Sequence, residues 1–86
     1  MKTLLFFHGD SCGACKMMEP SVKELEKEFK VMHVNTSENE GMELARKFMV
    51  RNIPTFIAVE GDVIPLNTKG SIAGTASKIA LRKLME

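Results

Sequence analysis

A short apolar run near the start of the chain, closed by polar residues, restricts the fold more than any other feature. Thr3 to Phe7 (TLLFF) has the length of a strand, and His8, Gly9 and Asp10 follow it at once. An unbroken apolar run of this length is typical of a strand that is buried on both faces of its sheet. Such a strand needs cover on both faces, so we expect a sheet covered by helices.

The segment that follows changes from strand to helix periodicity. Apolar residues recur at helical spacing from Gly13 to Phe29, which predicts an amphipathic helix. Pro20 lies inside this helix and should kink it. Val31 to Asn35 then reads as a second strand. A strand, a helix and a strand of these lengths predict a right-handed βαβ unit with parallel strands.

The second half of the chain predicts a further helix and then a hairpin. The helix is expected from Glu40 to Met49, and the two strands from Thr55 to Val59 and from Val63 to Asn67. A tight turn around Gly61 should join the strands antiparallel. Pro65 predicts an edge position for the last strand, because proline cannot donate a hydrogen bond to a neighbouring strand.

The end of the chain supplies one more helix. Gly70 should end the hairpin, and Thr75 to Met85 predicts the final helix. The expected fold is therefore α/β, with the order βαβαββα and a four-stranded mixed sheet flanked by three helices. At 86 residues we expect a single domain, 1–86.

Charge and hydropathy argue against several kinds of partner. The net charge is +1 with both signs interspersed, so no basic stripe predicts binding to nucleic acid. The opening MKTLLFF is cut by His8 before it reaches the length of a secretory signal, and no stretch approaches the ~20 apolar residues of a membrane helix. We therefore expect a cytoplasmic protein without membrane contact, and the charged outer faces of the helices predict a monomer.

Both cysteines lie in one Cys-Gly-Ala-Cys motif, residues 12–15, directly after the first strand. Residues three apart are neighbours on a helix, so the pair can close a disulfide. Cys12 is expected at the helix N-terminus, whose partial positive charge favours a thiolate, and Lys16 and His8 should add positive potential. This predicts an exposed attacking sulfur at Cys12 and a shielded resolving sulfur at Cys15, as disulfide exchange requires.

Two other readings of the cysteines stay open at this point. A lone Cys-x-x-Cys is half of a structural zinc site, which needs four ligands, and His8 and His33 are the other candidates. The pair could also be buried and inert. The small residues Gly13 and Ala14 between the cysteines, and the strand-to-helix junction before them, make that less favourable. We expect no metal and no cofactor beyond the disulfide itself.

With the motif and the element order combined, the chain resembles the thioredoxin family. Cys12 to Met17, followed by Pro20, resembles the family's active-site helix with its kinking proline. Ala45 to Thr55 (ARKFMVRNIPT) resembles the approach to the family's cis-proline loop. Gly70 matches the glycine that faces the active site from the loop before the last helix.

The resemblance implies a thiol–disulfide oxidoreductase, a protein-disulfide reductase that uses the Cys12–Cys15 couple in electron transport and cell redox homeostasis. Its partners would be disulfide-containing protein substrates and a thioredoxin reductase as electron donor. The family implies a cis bond before Pro54, which would place this proline against the cysteines and turn the Ile53 backbone outward to pair with an extended substrate. The implied substrate surface comprises Gly13, Ala14, Ile53, Pro54 and Gly70.

Two alternatives to this function remain. One is a glutaredoxin-like enzyme that depends on glutathione, although this chain has Ile-Pro-Thr and a single Gly70 where glutaredoxins usually carry Thr-Val-Pro and a paired-glycine element. The other is a binding or metal-binding module that uses the same fold without catalysis.

The sequence departs from the family where protons and redox potential are controlled. Phe6 stands at the family's buried acid and His33 at its lysine partner. We hypothesise that His33 or His8 relays the proton at Cys15, because imidazole titrates in a suitable range. Ala14 replaces the usual proline between the cysteines, and we expect a somewhat more oxidising disulfide.

Overall fold

A four-stranded sheet with helices on both faces forms the protein, whose computed structural model describes all 86 residues. In space the strands run β2-β1-β3-β4, with β1 parallel to β2 and β3 antiparallel to both β1 and β4. The predicted α/β fold with the order βαβαββα is confirmed. The elements are β1 (Lys2–His8), α1 (Gly13–Leu25), β2 (Lys30–Asn35), α2 (Asn39–Lys47), β3 (Thr55–Glu60), β4 (Thr68–Ala73) and α3 (Lys78–Leu84).

Strand β1 divides the apolar interior into two clusters. Its five residues from Thr3 to Phe7 are all buried, as the apolar run predicts. Leu4 and Phe6 point to the face covered by α1 and α3, where ten buried residues form one cluster. Leu5 and Phe7 point to the face covered by α2, where six buried residues form the other. We call these the α1/α3 face and the α2 face.

Helix α1 ends one turn earlier than its apolar pattern predicts. The helix stops at Leu25, and the following amides bond to carbonyls three residues back: Lys27 N–H to Glu24 O at 3.2 Å and Glu28 N–H to Leu25 O at 2.9 Å. This tightening turns the chain into β2 at Lys30. Phe29 still packs against the α1/α3 cluster, which explains why it continued the helical pattern.

Helix α2 is also shorter than expected, because Met49 adopts φ 58° and stops it. The amide of Met49 bonds to Arg46 O at 3.1 Å and that of Val50 to Ala45 O at 2.8 Å. These two bonds form the Schellman motif that commonly ends a helix. Helix α3 begins later than predicted, after Ser77, whose hydroxyl accepts from the Ala80 N–H at 3.1 Å.

The prediction of a strand from Val63 to Asn67 is wrong. This segment is a connection that contains one 3₁₀ turn, Pro65–Asn67, and β4 starts only at Thr68. The connection is closed by its own hydrogen bonds, including one from the Asn67 side-chain amide to Asp62 O at 2.9 Å. Pro65 therefore lies outside the sheet, where its missing N–H leaves no gap in a ladder.

Candidate functional site

The two cysteines form a disulfide at the start of α1, with their Cα atoms 5.2 Å apart. Cys12 is the N-cap residue: its backbone is extended, and its sulfur accepts a hydrogen bond from the Cys15 N–H at 3.1 Å. The Cys12 N–H in turn donates to Gly9 O at 3.3 Å. The Cys15 amide, in the first turn of the helix, thus points at the Cys12 sulfur, and this position at the helix N-terminus stabilises negative charge there when the disulfide is opened.

The two sulfurs differ in their access to solvent. Cys15 is 1% exposed and belongs to the α1/α3 cluster, whereas Cys12 is half-buried at the edge of that cluster. The predicted difference in shielding is therefore present in the structure. The roles of attacking and resolving sulfur stay predictions that this geometry supports. Gly13 and Ala14 lie between the cysteines in the first turn of α1, and Gly13 is exposed with open space where a Cβ would be.

A second loop, which carries a cis bond between Ile53 and Pro54, lies beside the cysteine loop. The predicted cis bond is confirmed. A Cβ added to Gly9 would come within 2.8 Å of Ile53 Cδ1, so the Ile53 side chain lies directly over the residue that holds the Cys12 amide. Neither the N–H nor the C=O of Ile53 forms a hydrogen bond within the chain. This backbone is free to bond to another strand.

The glycine next to this loop is Gly74, and the assignment of Gly70 is wrong. Gly70 lies inside β4 opposite Ala58, and a Cβ there would meet Leu84 Cδ1 at 2.7 Å. Gly74 follows β4, has φ +95°, and donates its N–H to Pro54 O at 2.7 Å. The sequence signal was a glycine between the last strand and the last helix. Because β4 was predicted too early in the chain, Gly70 was chosen instead of Gly74.

Comparison with known proteins gives this arrangement a family. The family model described as Thioredoxin matches residues 1–86. The chain belongs to the thioredoxin family.

Curated thioredoxins match over much of the chain. Thioredoxin 1 of Chlorobaculum tepidum is 37% identical over 68 residues, which cover 77% of this chain and 67% of that protein. Thioredoxin 1 of Nostoc is 30% identical over 87 residues, which cover 96% of this chain and 76% of that protein. Among such relatives the chain spans from 36% to 76% of the relative's own length.

Solved structures agree with these sequence matches. A mutant thioredoxin from Halobacterium salinarum superposes with a TM-score of 0.83 and 29% identity, covering 99% of this chain and 72% of that one. The family and the cysteine pair together support a thioredoxin-type protein-disulfide oxidoreductase.

Aromatic rings lie on the buried side of α1. Phe6 is 1% exposed and stacks on Phe56, with ring centroids 5.1 Å apart and an interplanar angle of 4°. The rings of His8 and His33 lie 5.2 and 5.8 Å from that of Phe6. The two imidazoles are 6.1 Å apart, and Phe6 shares its cluster with Cys15.

A cavity of about 310 Å³ opens over these rings, and we call it the histidine cavity. Charged residues of α1 and the following turn form its other wall, and His33 Nε2 lies 3.5 Å from Glu26 Oε2. Lys16 is exposed on α1 and does not line it. The lining residues are Phe6, His8, Glu19, Lys23, Glu26 and His33.

The structure contains no group of three or more histidine, cysteine, aspartate or glutamate side chains arranged to hold a metal ion. None of its helices has both the length and the apolar character needed to cross a membrane.

Proposed function

We propose that this protein reduces disulfide bonds of polypeptide substrates and is itself reduced by a thioredoxin reductase. The asymmetric disulfide at the start of α1 carries this proposal: one sulfur is reachable and lies at a helix N-terminus, and its partner is buried one turn away. Family membership supports protein substrates and a reductase partner in general terms.

The exchange takes two steps, starting from the reduced protein. The Cys12 thiolate attacks one substrate sulfur, and the other substrate sulfur leaves as a thiolate and takes up a proton. Cys15 then loses its proton and attacks the Cys12 sulfur, which releases the first substrate sulfur and forms the Cys12–Cys15 disulfide. Two electrons pass from the protein to the substrate. One of the two protons that the substrate sulfurs take up is the proton lost by Cys15, and the other comes from solvent, which received it when the Cys12 thiolate formed.

The free backbone of Ile53 supports an extended conformation for the bound substrate. A substrate strand that pairs with its N–H and C=O would be held by main-chain hydrogen bonds, whatever its sequence. Because Ile53 lies over Gly9, such a strand would pass beside Cys12. Gly13, Ala14, Ile53 and Pro54 would form the contact surface, with Gly74 in the place first given to Gly70.

The proposal extends to the setting of the reaction. A reducing compartment such as the cytoplasm would return the dithiol after each turnover. The outward faces of the helices carry charged side chains, which supports a monomer that delivers electrons to several targets in redox homeostasis.

The test combines turnover with reduction potential. With NADPH and thioredoxin reductase, the wild type should reduce a disulfide-bonded protein, and Cys12→Ser should show no turnover above background. Cys15→Ser should accumulate a mixed disulfide with the substrate, because the resolving thiol is gone. Ser11→Ala, which alters the exposed neighbour of Cys12, serves as the control and should keep turnover.

The potential of the pair tells a reductase from an oxidant. A value below the cytosolic glutathione poise, about −220 to −320 mV depending on method, supports reduction of substrates. A value well above it would contradict the proposal and point to an oxidase or isomerase. Turnover that requires glutathione and glutathione reductase would favour the glutaredoxin-like alternative instead.

We also propose that His8 or His33 passes the proton that Cys15 loses. Both rings line the histidine cavity over Phe6, which shares a cluster with Cys15, and Glu19, Lys23 and Glu26 face them from α1 and the turn after it. His8→Ala or His33→Ala should change the pH profile of disulfide reduction. Identical profiles in the wild type and in both variants would contradict this role.

A further inference from the structure

A second cavity, of about 280 Å³, opens on the α2 face next to the cysteine loop and the cis-proline loop, and we call it the arginine cavity. Its apolar lining residues include Ala45 and Val50, and its charged lining residues are Arg46 and Arg51. The cavity thus combines an apolar surface with two positively charged side chains that are exposed to solvent.

The two arginines have no carboxylate partner in the chain. Neither takes part in any of the ion pairs of the structure. The only side-chain hydrogen bond of Arg46 goes to Met42 Sδ at 3.6 Å, and Arg51 has none. Glu40 and Glu43 line a neighbouring cavity together with Arg46, but neither forms an ion pair with it and neither lines the arginine cavity. Each guanidinium therefore keeps its fork of N–H donors available for an incoming carboxylate.

The arginine cavity and the cysteine loop share a boundary. Ile53 and Thr36 line the cavity. The same two residues approach Gly9, where an added Cβ would meet Ile53 Cδ1 at 2.8 Å and Thr36 Oγ1 at 3.4 Å. Gly9 O accepts the hydrogen bond from the Cys12 N–H at 3.3 Å. A polypeptide that reaches Cys12 while it pairs with Ile53 therefore passes the mouth of the arginine cavity.

We propose that the arginine cavity is a subsite for an aspartate or glutamate side chain of the protein substrate, within a few residues of the cysteine under attack. This specificity rests on the proposed disulfide reductase function. Side chains of an extended strand alternate every ~3.3 Å, so a residue near the paired position can turn toward α2. Its methylene groups pack on Ala45 and Val50, and its carboxylate bonds to Arg46 and Arg51 in the two-pronged geometry that arginine favours.

The test uses two disulfide-bonded peptides that differ only in glutamate or glutamine near the cysteine. Wild-type kcat/KM should be roughly tenfold higher for the glutamate peptide, and tenfold corresponds to about 1.4 kcal/mol. The double variant Arg46→Gln/Arg51→Gln should remove this preference. Lys47→Gln is the matched control, because it removes one positive charge from the same helix outside the cavity, and it should keep the preference.

Added salt and an uncharged substrate complete the design. The preference should shrink as ionic strength rises. Hydroxyethyl disulfide, which carries no carboxylate, should be reduced at the same rate by the wild type and the arginine variants. Equal rates for both peptides in the wild type would overturn the subsite while leaving the reductase intact, whereas failure to reduce either peptide would overturn the reductase itself. An arginine effect confined to glutathione disulfide would also overturn the subsite, since the occupant would then be a small molecule.

Discussion

The two faces of the sheet differ in how much core they hold. The α1/α3 face has two helices and ten clustered buried residues, and the buried cysteine belongs to it. The α2 face has one helix and six such residues, and it carries the arginine cavity and part of the cis-proline loop. Disulfide chemistry thus lies against the thicker core, which shields one sulfur. The α2 face, which has the smaller core, leaves the side chains of the arginine cavity and the backbone of the cis-proline loop accessible to a partner.

The helices on the two faces are also attached differently. On the α2 face the backbone of α2 approaches the backbone at the end of β2, where Gly41 lies against Asn35. On the other face, α1 and α3 are joined by ion pairs between Lys78 and Glu24 and between Arg82 and Glu28. No ion pair of the structure involves α2. A substitution that adds atoms is tolerated far less at a close contact between backbones than at a contact between side chains.

The largest effect is therefore expected at Gly41. A Cβ there would lie 1.9 Å from Asn35 O, so Gly41→Ala must push α2 away from the sheet, at a cost of about 3 kcal/mol or more. Gly70→Ala on the opposite face meets only the end of the Leu84 side chain at 2.7 Å and should cost about 1 kcal/mol. Urea denaturation of both variants measures the difference. Equal losses would mean that the two faces are packed alike.

A second comparison uses the neighbouring phenylalanines of β1. Phe6→Ala and Phe7→Ala each remove a fully buried ring and should each cost about 3–5 kcal/mol. Only the first opens the cluster that contains Cys15, beneath the histidine cavity. Alkylation of reduced Cys15 in native buffer, counted by mass spectrometry, should therefore accelerate in Phe6→Ala and stay slow in Phe7→Ala. The same acceleration in both variants would show that loss of stability alone exposes the thiol.

The smallest effect is a pH dependence that belongs to the α1/α3 face. Hydrogen bonding from Arg82 lowers the pKa of Glu28, and hydrogen bonding from Lys78 lowers the pKa of Glu24. A carboxyl group whose pKa is lowered by folding stabilises the protein above its unfolded pKa, about 4.3 for glutamate, and this contribution is lost as the pH falls. Glu28→Gln should therefore lower the melting temperature slightly at pH 7.

At acid pH, below the lowered pKa of Glu28, the difference between Glu28→Gln and the wild type should fade, because the wild-type carboxyl is then protonated too. Glu43→Gln on α2 is the matched control, since Glu43 is exposed and belongs to no ion pair. It should leave the melting temperature unchanged at both pH values. A gap for Glu28→Gln that stays constant with pH would exclude the ion pair as its cause.

The sequence was most informative where one local rule determined the structure. An apolar run predicted β1, and the helix that follows it predicted the capping position of Cys12. The strand β4 was misplaced because Val63 to Asn67 shows the apolar content of a strand, while TKGSIA does not. The real β4 is selected by its pairing with β3, which is a long-range property. The incorrect choice of Gly70 instead of Gly74 followed directly from this error.

The arginine cavity could not be predicted for a related reason. Arg46 belongs to α2, whereas Arg51 follows the Met49 turn, and only the left-handed backbone at Met49 brings the chain back toward Ile53. Nothing in the spacing of the two arginines indicates that they share a cavity with a residue that touches Gly9. By contrast, the Cys-x-x-Cys spacing alone predicts that the two cysteines lie close together, because both residues lie in a single helical turn.

The unpaired backbone of Ile53 also bears on self-association. Unpaired strand edges can pair with other copies of a chain. Here the outer strands carry Lys30 and Lys69, and the register is irregular near Ala58. Both features disfavour such pairing. Next to Ile53, two backbone groups cannot extend such pairing. Pro54 has no N–H to offer, and Asn52 O already accepts from the Thr55 hydroxyl at 2.6 Å. A substrate strand can therefore bond to the Ile53 backbone without extending into a longer ladder of hydrogen bonds. Such limited pairing would let the protein release each substrate before it binds the next.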